Sequence, residues 1–266
     1  SNQAADEILQ RLIRDTDIPQ NCITRVYARS IEAAHGSLLK MGISTDPRTT
    51  FQIRSDFEEY SLHFKTKSLP EITRAHSRLG ENATAAQNHY FGMEYEAGET
   101  RILRESKVVI TTCVSACFHS ALNKGAKSFR FDTVVIDEAA QATEPETVLA
   151  SLLADKRVVL VGDHKQLGPV ITENNLCKAY LLALEKPMLE RIIEAPQQPL
   201  TSTMLERQYR MHPSIRAFPS KHFYDSRLQD HGSSVIKQVV RTVWPSEEER
   251  LVFVDCHHPH SSGLVV

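Results

Sequence analysis

The chain has 266 residues, 41% of them hydrophobic and 24% charged, an ordinary globular composition long enough for one large domain or two modest ones. Its 31 Lys and Arg against 33 Asp and Glu leave a formal net charge of −2, so any nucleic-acid surface must be local. No apolar run approaches the ~18 residues of a membrane span, the first residues lack a secretory leader's basic and apolar regions, and five scattered cysteines suit a reducing compartment, which together imply an intracellular protein of the cytoplasm and/or nucleus with no membrane partner.

In chain order, Ser1 or Asn2 is a candidate N-cap for a core-facing helix carrying Ala4, Ala5, Ile8, Leu9, Leu12 and Ile13, which runs to the turn before Pro19. Cys22 to Tyr27 reads as a short strand. Arg29 to Arg104 is polar and weakly periodic and reads as an inserted helical subdomain. Three β-branched runs follow, Val108 to Ile110, Val134 to Ile136 and Val158 to Val161, each ending abruptly in polar residues. Such near-continuous apolar runs fit strands buried on both faces of a parallel sheet. Between the second and third, Glu144 to Leu153 opens with Pro145 and acidic residues and closes on an apolar tail, as a crossover helix does. The pattern is βαβ, and its polar clusters fall beyond the carboxyl ends of the strands, where such sheets bind ligands. Leu176 to Ile193 reads as a core helix. A second unit starts near Pro199, with Leu200 to Leu205 a candidate strand, Pro213 to Phe223 a helix, Gln229 to Glu249 a polar surface excursion, and Leu251 to Val254 another strand.

Asp137-Glu138-Ala139-Ala140 directly follows the second strand run. An aspartate at a strand tip can hold Mg²⁺ while the adjacent glutamate orients or deprotonates a water; the same acids would also suit the positive end of a crossover helix. One βαβ step later comes Gly162-Asp163-His164-Lys165-Gln166-Leu167-Gly168-Pro169, whose Gln amide can reach a γ-phosphate, or which forms a Gly- and Pro-bounded turn. A third cluster is Glu206-Arg207-Gln208-Tyr209-Arg210-Met211-His212-Pro213, in a stretch where Arg207, Arg210, Arg216, Lys221 and Arg227 outnumber Glu206 and Asp225. An arginine there can neutralise charge on a transferring phosphoryl group, and a tyrosine offers a stacking face. Cys113-x-x-x-Cys117-x-His119 is half a zinc-ligand set without a complement, and Cys256-His257-His258-Pro259-His260 adjoins a candidate loop.

Together, Asp137 to Ala142, Gly162 to Pro169 and Gln208 to Pro213 closely resemble the superfamily 1 helicases of the up-frameshift and senataxin group. Ser1 to Asp6 is similar to their motif Ia, and Thr111 to Ala116 to their motif Ic. The resemblance implies an α/β fold with a RecA-like P-loop NTPase parallel sheet and a helical insertion at about 29–104, a first RecA-like domain over 1–195, and the start of a second over 196–266. By the same resemblance, ATP and Mg²⁺ are cofactors. Asp137 would serve the Mg²⁺, Glu138 the hydrolytic water, Gln166 the γ-phosphate, Tyr209 the adenine, and Arg210 would be the arginine finger. Ser1, Asn2, Thr112, Val114 and Pro169 would line single-stranded RNA or DNA, with 5′ to 3′ translocation and protein cofactors as further expectations.

The sequence departs from this pattern in lacking a G-x-x-x-x-G-K-[ST] loop, since Gly36 and Gly42 are wrongly spaced and followed by Ile43-Ser44. The later motifs of the second domain also have no counterpart before Val266. The expectation is therefore a central piece of a longer helicase, inactive as an ATPase on its own. The competing expectation is a nucleic-acid-binding scaffold that has lost catalysis. A metal-dependent nuclease using Asp137, Glu138 and Asp163 would leave Gln166 and Arg210 without roles.

Overall fold

Two parallel strand pairs form where the β-branched runs concentrate. β1 (Ile23–Arg25) lies beside β2 (Val108–Ile110), Ile23 opposite Val108 and Arg25 opposite Ile110. β3 (Phe131–Ile136) lies beside β4 (Ala154–Leu160), with Val134, Val135 and Ile136 opposite Val158, Val159 and Leu160. The computed structural model describes residues 1–34, 53–79, 83–122, 129–171, 184–195 and 201–232. The chain divides into two units, Ser1–Ala195 and Pro196–Val266.

In the first unit, helix α1 (Asn2–Asp15) is capped by the Ser1 hydroxyl, which accepts from the Ala4 amide at 3.3 Å. Its apolar stripe places Ala5 and Leu9 in a core with Ile23, Phe57, Tyr60 and Ile110. The predicted strand at Cys22 to Tyr27 is shorter, three residues, all buried. Helices α2 (Arg29–Ala34), α3 (Leu62–Lys67), α4 (Pro70–Arg78) and α5 (Ala85–Glu105) occupy the described parts of the predicted helical stretch. Polar contacts tie α3 to the first strand and α2 to α5. Lys65 Nζ donates to the carbonyls of Asn21 and Ile23 at 3.0 and 2.6 Å, and Arg29 grips the buried Glu99 carboxylate through both terminal nitrogens at 2.8 and 2.7 Å.

Helix α6 (Cys113–Phe118) follows β2, and α7 (Glu144–Ser151) is the crossover between β3 and β4. The Glu146 carboxylate reaches back to accept from the Thr143 amide at 3.0 Å and hydroxyl at 2.9 Å, which explains why α7 starts where it does. Of the three runs expected to be buried on both faces, β2 comes nearest, with Ile110 buried and Val108 and Val109 partly buried, whereas the expectation fails for β3 and β4. Ile136, with Val134 and Leu160, packs against Ala116, Ala139, Ala140, Ala150, Leu153 and Leu189. The alternate residues of the pleat point the other way, and Val135 is 62% exposed. The predicted core helix at Leu176 to Ile193 is described only near its end, where α8 (Met188–Glu194) begins after Pro187 and buries Leu189. Pro187 breaks the apolar run because it cannot continue a helix from its amino-terminal side.

In the second unit, β5 (Arg207–Gln208) and β6 (Gln229–Asp230) pair in parallel and α9 (Pro213–Phe223) spans the predicted helix. The strand expected at Leu200 to Leu205 is displaced: residues 201–205 are irregular. The pairing hydrogen bonds fall later, from Gln229 N to Glu206 O and from His231 N to Gln208 O, and Leu205 is left 82% exposed. The polar excursion expected from Gln229 accordingly begins with a strand. The expected strand at Leu251 to Val254, the Cys256 to His260 cluster and the Gly36 to Gly42 segment lie outside the described residues. Among the described residues no helix is long and apolar enough to cross a membrane.

Candidate functional site

Parallel pairing brings the ends of β3 and β4 to one edge. Val161 donates its amide to the Ile136 carbonyl at 2.9 Å, and Ala139 donates to the Val161 carbonyl at 2.8 Å, so Asp137-Glu138 and Gly162-Asp163 leave the sheet side by side. Gly162 is where the two loops touch. A Cβ there would lie 3.0 Å from the backbone nitrogens of both Ala139 and Ala140 and from Leu189 Cδ2. Close backbone approach, not a turn, requires this glycine.

The two acids are exposed at the strand tip. Asp137 Oδ1 accepts from the Glu138 amide at 3.0 Å, and Glu138 adopts φ 52°, a left-handed conformation uncommon for a residue with a side chain. Gln141 Nε2 donates to Glu138 Oε2 at 3.1 Å, holding the glutamate from behind. In the neighbouring loop Asp163 Oδ1 accepts from the Lys165 amide at 3.0 Å, while Asp163 Oδ2 accepts from Gln166 Nε2 at 2.7 Å. Asp163 therefore closes the loop and orients Gln166. Sequence reasoning singled out Glu138 and Gln166 but not Gln141 and Asp163 as the groups that hold them. Their signal was spacing, each three residues from its partner.

The donors at this edge are hard oxygens, Asp137 and Glu138, which suit Mg²⁺, an ion held by one or two carboxylates with water and phosphate oxygens completing its shell. Among the described residues no three or more His, Cys, Asp or Glu gather as a metal cage. Cys113 and Cys117 lie on α6, and burial pushes both thiols above their ordinary range.

Of the remaining first-unit candidates, four lie on two other segments and Pro169 on the loop already described. Ser1 and Asn2 open α1. Thr112 caps α6, its hydroxyl accepting from the Ser115 amide at 3.2 Å, and Val114 in the first turn is 49% exposed. Pro169 follows the Gln166 loop and is partly buried.

In the second unit Tyr209 and Arg210 are exposed in the turn after β5. Gln208 builds that turn: its Oε1 accepts from the Arg210 and Met211 amides at 2.9 and 2.7 Å, and its Nε2 donates to the Met211 carbonyl and to Asp230 Oδ1, each at 2.7 Å. Asp230 accepts in turn from Nε and Nη2 of Arg216, at 3.1 and 2.8 Å, which with Gln208 keeps its carboxyl below the usual range. The Tyr209 ring stands 4.5 Å from the His231 ring, tilted by 35°. It lines a groove with Met204, Leu205, Glu206, Arg207 and Gln229. The basic excess read from sequence is smaller in space, because Arg216 pairs with Asp230 and Arg227 with Glu206.

Residues 1–174 match the family model of an AAA domain, and residues 184–264 match a second model of the same description. The chain is 30% identical over 255 residues, 95% of its length, to the regulator of nonsense transcripts 1 homolog of Neurospora crassa, of which it covers 21%. It is 34% identical over 209 residues, 76% of its length, to the ATP-dependent helicase upf1 of Schizosaccharomyces pombe, of which it covers 21%. To the ATP-dependent helicase NAM7 of Saccharomyces cerevisiae it is 36% identical over 182 residues, 66% of its length and 17% of that protein. The chain thus spans about a fifth of the length of these curated relatives. With two strand-tip motifs abutting at Gly162 and two matched domain models in sequence, the chain belongs to the AAA-domain family, within the superfamily 1 helicases of the up-frameshift group.

Proposed function

We propose that this chain is part of the motor of an ATP-dependent helicase that moves 5′ to 3′ along single-stranded RNA or DNA in an intracellular protein assisted by protein cofactors. Residues 1–195 are on this reading a partial first RecA-like domain with its insertion at about 29–104, and residues 196–266 the start of the second. The observation that carries the reading is the edge where Asp137-Glu138 and the Asp163–Gln166 loop emerge in contact, each side chain braced by a neighbour. When bound, ATP supplies the transferable phosphoryl group and Mg²⁺ neutralises its charge.

Asp137 would hold Mg²⁺ from the strand tip. Glu138, fixed by Gln141, orients a water and takes its proton. Gln166, fixed by Asp163, donates to the γ-phosphate, and Arg210 neutralises charge developing on the transferring group. Tyr209 stacks on the adenine. Ser1, Asn2, Thr112, Val114 and Pro169 contact the strand. Coupling requires that the protein hold the strand with different affinity in its nucleotide states, because a ligand shifts an equilibrium only by differential affinity.

The test uses the complete protein. Glu138→Gln is expected to lower strand-stimulated ATP hydrolysis by about 100-fold or more, the scale of a lost general base. Single-strand affinity of the unaltered protein is expected to change with a non-hydrolysable ATP analogue. Absence of strand-stimulated hydrolysis in the unaltered complete protein, together with strand binding indifferent to nucleotide, would establish the catalytically silent scaffold instead, and hydrolysis indifferent to Glu138 would overturn its assigned part.

A further inference from the structure

Apart from the phosphate-facing edge, the most elaborate polar arrangement in the first unit is buried under α1. Arg25 is 0% exposed, and its side chain has five N–H donors. Five acceptor contacts meet them: Nε to Asp6 Oδ1 at 2.9 Å, Nη1 to the carbonyls of Val26 and Ile110 at 2.8 and 3.4 Å, and Nη2 to Asn2 Oδ1 and the Asn2 carbonyl at 2.9 and 3.4 Å. The guanidinium lies over the Tyr27 ring at 4.1 Å, and the Tyr27 hydroxyl donates to the same Asp6 oxygen at 3.1 Å.

Replacing a buried ion pair by apolar side chains of equal volume is often neutral or stabilising, so this cage is weak evidence for a part in stability alone. Its geometry offers another reason. Arg25 takes the oxygen of the Asn2 carboxamide, which leaves the amide NH₂ turned away from the guanidinium as a donor of fixed direction. The same guanidinium holds the Ile110 carbonyl at the end of β2, and Thr111 Oγ1 donates to the Val26 carbonyl at 3.0 Å, immediately before the α6 cap at Thr112.

We propose that Arg25 is a positioning residue for single-strand binding: one buried guanidinium sets the direction of the Asn2 amide and fixes its spacing from the Thr112 segment. The inference rests on the reading above that both segments contact the strand. Arg25 itself touches no nucleic acid. Its planar fork is what lysine cannot reproduce, since a single ammonium supplies three donors from one point.

The experiment measures ATP hydrolysis by the complete protein against increasing oligouridylate or oligothymidylate, with fluorescence anisotropy for direct binding. Arg25→Lys is expected to raise the half-saturating oligonucleotide concentration about tenfold, with kcat at saturation within about twofold, the pattern of lost uniform binding. Asn2→Asp is the folding-safe companion, because it keeps an oxygen for Arg25 while replacing the NH₂ donor. It is expected to weaken binding at least as much, and the double variant no further than Asn2→Asp alone. Arg25→Lys that lowers thermal stability or kcat at unchanged half-saturation assigns a purely structural part and overturns the proposal, as does Asn2→Asp with unchanged binding. If the unaltered protein binds neither oligonucleotide, the strand-contact reading falls and this inference with it.

Discussion

Gly162→Ala is the most informative single substitution. The new methyl would sit 3.0 Å from two backbone nitrogens and from Leu189 Cδ2, against the ~3.5–4.0 Å of an unstrained contact. Leu189 can rotate; the backbone of Ala139 and Ala140 can yield only by moving the loop that carries Asp137 and Glu138. Overpacking of this kind costs about 1–3 kcal/mol, and two backbone neighbours place the cost in the upper half of that range. A shift of some tenths of an ångström between the two loops should also lower turnover about tenfold, given that ~1 Å misplacements cost about 100-fold. Urea denaturation followed by circular dichroism, together with stimulated turnover of the complete protein, measures both. Gly98→Ala is the internal comparison. There the methyl meets only the tips of Leu69 and Thr66 at 3.1 Å, and the gain of about 1 kcal/mol from alanine in helix α5 should offset the crowding. If Gly162→Ala proves as harmless as Gly98→Ala, the two motifs are not locked through backbone contact and the argument fails.

Three further outcomes follow from the ion pairs and thiols. Arg29→Ala should destabilise by about 3–5 kcal/mol and more than Glu99→Ala, because it takes a two-pronged guanidinium from a fully buried carboxylate whereas Arg29 retains 21% exposure; equal losses in paired denaturation curves would contradict this. Asp230 has a folded pKa below the ordinary 3.8, so its pairing with Arg216 stabilises the folded state at neutral pH and this contribution is lost as pH falls from about 3.8 downward. The stability advantage of the unaltered protein over Asp230→Asn should therefore shrink between neutral and acidic pH, and a constant difference in melting temperature would refute it. Burial raises the Cys113 and Cys117 thiols, so at pH 8 they should alkylate more slowly with iodoacetamide in the folded than in the urea-unfolded protein, as peptide mapping would record.

Local chemistry made much of this protein legible from residue order alone. Ser1 before a 3.6-residue stripe, Pro145 before an apolar tail and Pro213 after His212 mark helix starts, because capping and fixed φ act within a few residues. The β-branched runs ending at Asp137 and Gly162 likewise located the strand tips, since a βαβ unit brings successive parallel strands together by its own length. What residue order did not carry was which face each strand buries and which polar side chains meet. Val135 and Val159 are as apolar as Ile136, yet only one side of the β3–β4 pleat meets the Ala116–Leu189 core. The pairing of Arg25 with Asp6 and Asn2, of Arg29 with Glu99, and of Asp230 with Gln208 and Arg216 joins residues 14 to 70 positions apart or more tightly packed than spacing reveals. Tertiary packing alone selects such partners, because a buried charge must find its counter-ion wherever the folded backbone brings one within reach.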